Sequence, residues 1–299
     1  VITEEEEPDV DDFSAKVRAV AREAGADLVG IADIARFADV PKEHNPLSIF
    51  PEARSVIVVG KRVVRGALRG VEEGTQFSNY DLYVGNWLGP FLSATVFEIS
   101  AFLEDNRWEA VPLMNLPTQI PPMGIAVRPG QPEPNVLVDC DEAAVRAGLG
   151  EIGYCGLLLT PQYGPRQKVE AILTDAVLTP DDMLTEPVCD RCLECAKACP
   201  LAAISTNEQT TYSISGKETV VGKVDYSKCA ICQNGARPNR YHKSAPADRM
   251  AGVCTRSCVA HLSEGNRLED TPRLPFRRRE PWTLLPHDIW SLDRRRNIE

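Results

Sequence analysis

The sequence predicts an α/β or α+β domain over residues 13–180, followed by a small cysteine-organised domain over residues 181–265. Two observations predict it. Short β-branched runs alternate with segments of helical period through the first part of the chain, the pattern of a mixed sheet-and-helix domain. Eight of the ten cysteines then lie at or beyond Cys189. The first four form the run Cys189-Asp190-Arg191-Cys192-Leu193-Glu194-Cys195-Ala196-Lys197-Ala198-Cys199-Pro200, the C-x2-C-x2-C-x3-C-P spacing of a bacterial-type [4Fe–4S] cluster.

The elements follow in order. Residues 1–12 are an acidic lead, with Glu4 to Glu7 at its centre. Phe13, Val17, Val20, Ala21 and Ala24 then recur at helical spacing, with Asp12 as a cap and Gly25 as a stop. Asp27 to Ile31 and Ser55 to Val59 are β-branched runs bounded by turn residues and suit buried strands. Leu92, Val96, Ile99, Phe102 and Leu103 return to a helical period, and Trp108 to Val111 begins another strand. Residues 112–135 carry Pro117, Pro121, Pro122, Pro129, Pro132 and Pro134, which predicts a long, stiff loop. Val169 to Thr174 is the last strand before a linker at Thr179-Pro180-Asp181-Asp182.

In the cysteine-rich part, three thiolates two residues apart wrap one iron–sulfur cube from a single turn of backbone. In two-cluster ferredoxins the fourth cysteine serves the other cube. Cys199 therefore requires a second set, and Cys229, Cys232, Cys254 and Cys258 supply it. The implied assignment is crossed: Cys189, Cys192 and Cys195 with Cys258 on one cluster, and Cys229, Cys232 and Cys254 with Cys199 on the other. Zinc is the competing reading. Structural zinc sites favour separated C-x2-C pairs and have no use for a third cysteine at the same spacing. The second set is less regular, with a long gap before C-x3-C and Val259 where proline would follow. So little apolar sequence separates the ligands that folding of this ferredoxin-like region is expected to depend on metal.

With these sets assigned, Cys140 and Cys155 remain. A disulfide framework is not expected, and a reducing, cytoplasmic setting is. The net charge of −10 argues against a nucleic-acid partner. No apolar stretch approaches the ~20 residues needed to cross a bilayer. The chain does not begin with methionine, which leaves a removed export signal open. His44, His242, His261 and His287 show no metal spacing, and Cys155, beside a glycine loop, reads first as a small buried hydrophobe.

That loop, Gly148-Leu149-Gly150-Glu151-Ile152-Gly153, matches the G-x-G-x-x-G expression of dinucleotide folds, but its context is inverted. Helix precedes it and strand follows, so a nicotinamide or flavin dinucleotide is not expected. Taken with Leu158-Leu159-Thr160-Pro161, Tyr163-Gly164-Pro165-Arg166, Thr174-Asp175 and the cysteine run, the stretch resembles the superfamily of epoxyqueuosine reductases and reductive dehalogenases, over roughly residues 13–260. The resemblance implies a nitroreductase-like, cobalamin-binding domain joined to a two-[4Fe–4S] ferredoxin-like domain. It further implies that the clusters feed a corrinoid, which then carries out reductive cleavage of a small organic substrate. It places Gly148, Leu149, Gly150, Gly153, Tyr163, Gly164 and Pro165 beside that corrinoid. The glycines have a second reading, a tight helix-to-strand connection with no ligand.

The chain departs from the pattern at Tyr154, where the family usually carries Lys or Arg. A phenol can donate a proton but stabilises an anion less well than a fixed cation, which puts organohalide reduction of the usual kind in doubt. Tyr154 and Asp139 are the candidate catalytic proton donors, with Tyr80 and Tyr83 in reserve, and Asp139 also reads as a helix cap. An external donor such as a ferredoxin or flavodoxin would supply the electrons. The alternative function is an electron-transfer or reductive-activator protein that passes electrons to a partner. The tail, 266–299, holds Trp282 and Trp290 and reads as a strap over the protein or a contact to a second copy or partner subunit.

Overall fold

The computed structural model describes residues 9–76, 79–80, 83–116, 124–225, 227–228 and 252–277. Cys229, Cys232, His242, Trp282, His287 and Trp290 lie outside the described residues.

Helix α1 (Val10–Glu23) starts earlier than the expected cap at Asp12, because Asp9 is the residue that caps it. Its carboxylate accepts from the backbone N–H of Asp11 (2.9 Å) and Asp12 (3.2 Å), satisfying donors that the first turn leaves open. Phe13, Val17 and Ala21, spaced four apart, form its buried face. The chain leaves the helix through Gly25 at φ +90°.

The principal sheet has the order β1-β2-β6-β3, built from β1 (Leu28–Asp33), β2 (Ser55–Arg62), β6 (Gln167–Thr174) and β3 (Ala110–Leu113). Every pairing in it is antiparallel, so the domain is α+β and not a parallel α/β fold. Ile57 and Val59 of β2 point to one face, where α1 and helix α3 (Leu88–Asp105) pack. Val56 and Val58 point to the other, against helix α4 (Cys140–Arg146). Each fully buried side chain of this kind contributes roughly 1.5–3 kcal/mol. The linker read at Thr179 to Asp182 is bonded on two sides. Thr179 N donates to Ser14 Oγ (2.8 Å), and Asp181 Oδ2 accepts from Ile31 N (2.8 Å) and Arg18 (2.8 Å).

The cysteine-bearing part packs directly on this domain. After the two short strands β4 (Glu151–Ile152) and β5 (Leu158–Leu159) come helix α5 (Glu194–Lys197), an unforeseen hairpin of β7 (Ile204–Ile214) and β8 (Lys217–Val224), and helix α6 (Gly252–Glu264). Tyr212, Ile214 and Val221 of the hairpin join the core beneath α4. Val259, Ala260 and Leu262 of α6 pack with Leu68 and Val71, the latter in the short helix α2 (Arg69–Glu73). Among the described residues, no helix is long and apolar enough to cross a membrane.

Candidate metal centre

Cys189, Cys192, Cys195 and Cys258 line one small cavity of about 20 Å³, together with Tyr154, Cys155, Leu159 and His261. Cys189 and Cys192 come from the loop before α5, Cys195 from α5 itself and Cys258 from α6. Arg191 (φ +57°) and Leu193 (φ +64°) stand in left-handed conformation between the cysteines, which turns the loop tightly enough to bring its thiols to one side. Such conformations are costly for residues with a Cβ and persist where the surroundings fix them. Cys199 is not among the lining residues, and its sulfur accepts from Ala203 N at 3.2 Å. Cys254, one helical turn before Cys258, belongs to the same apolar cluster but does not line the cavity.

The electrostatics describe a nest that needs a cation. Burial pushes up the thiols of Cys189 and Cys192, the latter to about 11. A hydrogen bond with the Cys155 thiol, followed by burial, pushes Cys195 up, and burial with four neighbouring thiols raises Cys258. Four thiolates crowded into apolar surroundings cannot ionise together without a metal to neutralise them. Convergent soft donors around a closed space fit an iron–sulfur cube.

The first domain holds the loop from below. Glu151 accepts from Cys189 N (2.6 Å), and Tyr154 N donates to Cys189 Sγ (3.4 Å). On the rim, Asp190 accepts from Cys192 N (3.2 Å) and pairs with His261 Nε2 (2.7 Å). Asp190, Cys192 and His261 thus bring their donor atoms within 4.8 Å of one another. Sequence spacing gave no hint of His261, because the partner lies 71 residues away and is set by how α6 docks.

Tyr154 is 5% exposed and its hydroxyl donates to Ser205 O (3.0 Å) in β7. Its carbonyl accepts from Gly222 N (2.8 Å) in β8. Asp139 caps α4, accepting from Asp141 N and Glu142 N at 2.9 Å each. It also lines a separate polar cavity of about 270 Å³ with Asp39, His44, Glu142 and Arg146. The structure therefore does not bring Tyr154 and Asp139 into one cavity among those described.

The glycine segment is packed by the protein itself. A Cβ at Gly148 would stand 2.2 Å from Asp182 O, at Gly150 2.1 Å from Leu159 O, and at Gly153 2.5 Å from the Leu159 side chain. Leu149 packs into the core beside Ala147. Gly164 (φ +59°) faces Leu262 and Leu268, and Pro165 is buried. Tyr163 keeps a half-exposed ring, flanked by Arg62 (5.9 Å) and Arg166 (5.8 Å). Gly148 and Gly150 thus form a tight connection between α4 and β4, and Tyr163, Gly164 and Pro165 lie in the turn between β5 and β6.

No protein-family model matches the chain. Over 116 residues it is 48% identical to a tetrachloroethene reductive dehalogenase of Dehalobacter restrictus, covering 38% of this chain and 21% of that protein. Over 157 residues it is 32% identical to an epoxyqueuosine reductase of Synechococcus sp., covering 46% of this chain and 48% of the other. The fold is shared with a solved reductive dehalogenase described as carrying out B12-dependent dehalogenation. That match has a TM-score of 0.58 at 20% identity, over 90% of this chain and 34% of the other. The matched region is thus about a fifth of the dehalogenase sequence and about half of the epoxyqueuosine reductase.

Proposed function

We propose that the chain, as a divergent member of the superfamily that contains reductive dehalogenases and epoxyqueuosine reductases, is the electron-delivering part of an iron–sulfur oxidoreductase acting on a small organic substrate. The observation that carries this reading is the convergence of Cys189, Cys192, Cys195 and Cys258 on one apolar cavity. Such a site holds a [4Fe–4S] cluster that takes up and passes on one electron at a time. Cys199 and Cys254, with Cys229 and Cys232, are left to hold a second. The chain's own groups set the properties of the first cluster. The Tyr154 N–H donates to a ligand sulfur and the Leu159 and Leu262 side chains line the space around it, both levers on potential. An external ferredoxin or flavodoxin supplies the electrons.

The relatives support a corrinoid as the acceptor, because the solved protein with this fold is described as B12-dependent. When bound, a corrinoid supplies the cobalt chemistry of reductive cleavage. The glycines at 148, 150 and 153 serve chain packing in this reading. Anaerobically reconstituted protein is expected to bind cobalamin stoichiometrically, with a change in its visible spectrum. No binding under strictly anaerobic conditions would remove the corrinoid from the account.

A second reading, an electron-transfer or activator protein that serves a partner, is favoured by one observation. The Tyr154 hydroxyl is engaged by Ser205 O and lies under the hairpin. Turnover of a small molecule by the isolated protein with a chemical reductant alone would exclude this second reading.

A further inference from the structure

A four-iron cube needs four thiolates, one for each iron, yet five thiols line the cavity: Cys155 stands there with Cys189, Cys192, Cys195 and Cys258. Cys155 is 5% exposed and Cys195 6%, and both belong to one apolar cluster with Ala196 and Ile204. Both side chains line the same small cavity. Cys155 reaches this position from the first domain, at the turn Gly153 to Gly156 between β4 and β5, where Gly156 N donates to Gly153 O at 2.7 Å. A small buried hydrophobe would account for its burial but not for a sulfur that faces both the cavity and a ligand thiol.

We propose that Cys155 is a reserve ligand of the first cluster, able to hold the iron corner otherwise held by Cys195. The inference rests on the iron–sulfur reading above. In the exchange, the Cys155 sulfur gives its proton to water and bonds the iron. The Cys195 sulfur leaves that iron and takes up a proton. Iron and sulfide keep their oxidation states. With Cys195 bound to iron as a thiolate, the Cys155 S–H would be the group able to donate to its sulfur, and hydrogen bonds to ligand sulfurs raise cluster potentials.

Three variants of the full chain, Cys195→Ala, Cys155→Ala and the double variant, test this after anaerobic reconstitution with iron and sulfide. Iron content and the electron paramagnetic resonance spectrum of the reduced protein are the readouts. The expected result is about eight iron atoms per chain in the wild type and in each single variant, and about four in the double variant. Cys195→Ala should show altered g-values, and Cys155→Ala a lower reduction potential. The cube retained in the double variant serves as the control for folding. A Cys195→Ala protein that already falls to about four irons, or shows a three-iron cluster at this site, would overturn the proposal. A wild type that takes up zinc and no iron would overturn the iron–sulfur reading itself, an outcome distinct from the loss of one cube in Cys195→Ala.

Discussion

Glu142 lines the polar cavity beside α4 with its carboxyl pushed up to about 7, first by burial and then by the neighbouring Asp139, against the pull of Arg146. An unfolded glutamate titrates near ~4.3, so between that value and about 7 the folded chain holds a proton that the unfolded chain has released. Stability falls as pH rises through this window and is level above it. Glu142→Gln is expected to raise stability at pH near ~8 by on the order of 2 kcal/mol and to leave it unchanged near pH ~4. Urea unfolding at the two pH values measures this, and an equal effect at both would show that no proton is held. At this scale the meeting of Cys189, Cys192 and Cys195 was legible in the sequence, because their spacing puts them on one short stretch of backbone. Cys155 and His261 were not legible as neighbours of these thiols. Their proximity depends on how β4–β5 and α6 dock, which no local pattern encodes.

The hairpin β7–β8 is the element that closes over Tyr154. Gly222 admits the ring, since a Cβ there would lie 2.5 Å from Tyr154 Cε1. Gly222→Ala is expected to destabilise the protein by about 2 kcal/mol through overpacking. Gly216→Ala, where nothing lies within 4 Å but φ is +83°, should lose about 1 kcal/mol from backbone strain alone. Thermal unfolding of the two variants separates packing from strain, and an equal loss would contradict the packing account. The sequence carried a signal for this hairpin in the dipeptide Ser215-Gly216, which in the structure takes positive φ at both positions (+50° and +83°), as a two-residue primed turn requires. The metal reading of residues 181–265 left that signal unused. The sheet was easier to read, because β1, β2 and β6 are β-branched runs buried on both faces. Only their antiparallel order, a matter of long-range pairing, had to come from the structure.

Across the whole molecule, ion pairs fasten α6 and the segment after it to the first domain. Glu72, 6% exposed, meets Arg69 (2.9 Å), Arg256 (3.3 Å) and the backbone N–H of Arg277. Burial pushes its carboxyl up, but these donors outweigh burial and hold it below the ordinary range. The stability it adds is therefore present above ~4.3 and is lost as pH falls through the folded value. Glu72→Ala leaves buried guanidinium charge uncompensated and is expected to cost about 3 kcal/mol at neutral pH, with a smaller difference in acid. A calorimetric comparison across pH checks this, and a constant difference would contradict the ion-pair account. Arg166 reinforces the attachment, donating to Asp270 Oδ2 and to Val63 O. Through these contacts the cysteine-bearing part packs directly on the first domain.

The central claim is that Cys189, Cys192, Cys195 and Cys258 hold one iron–sulfur cluster and that the remaining set holds another. Iron quantitation with electron paramagnetic resonance of the dithionite-reduced protein, applied to the wild type and to Cys189→Ala/Cys192→Ala, tests it most directly. The account predicts about eight iron atoms and two interacting [4Fe–4S]⁺ signals in the wild type, and about four atoms with one isolated signal in the variant. A colourless wild type that binds zinc, or a variant with unchanged iron and spectrum, would contradict it.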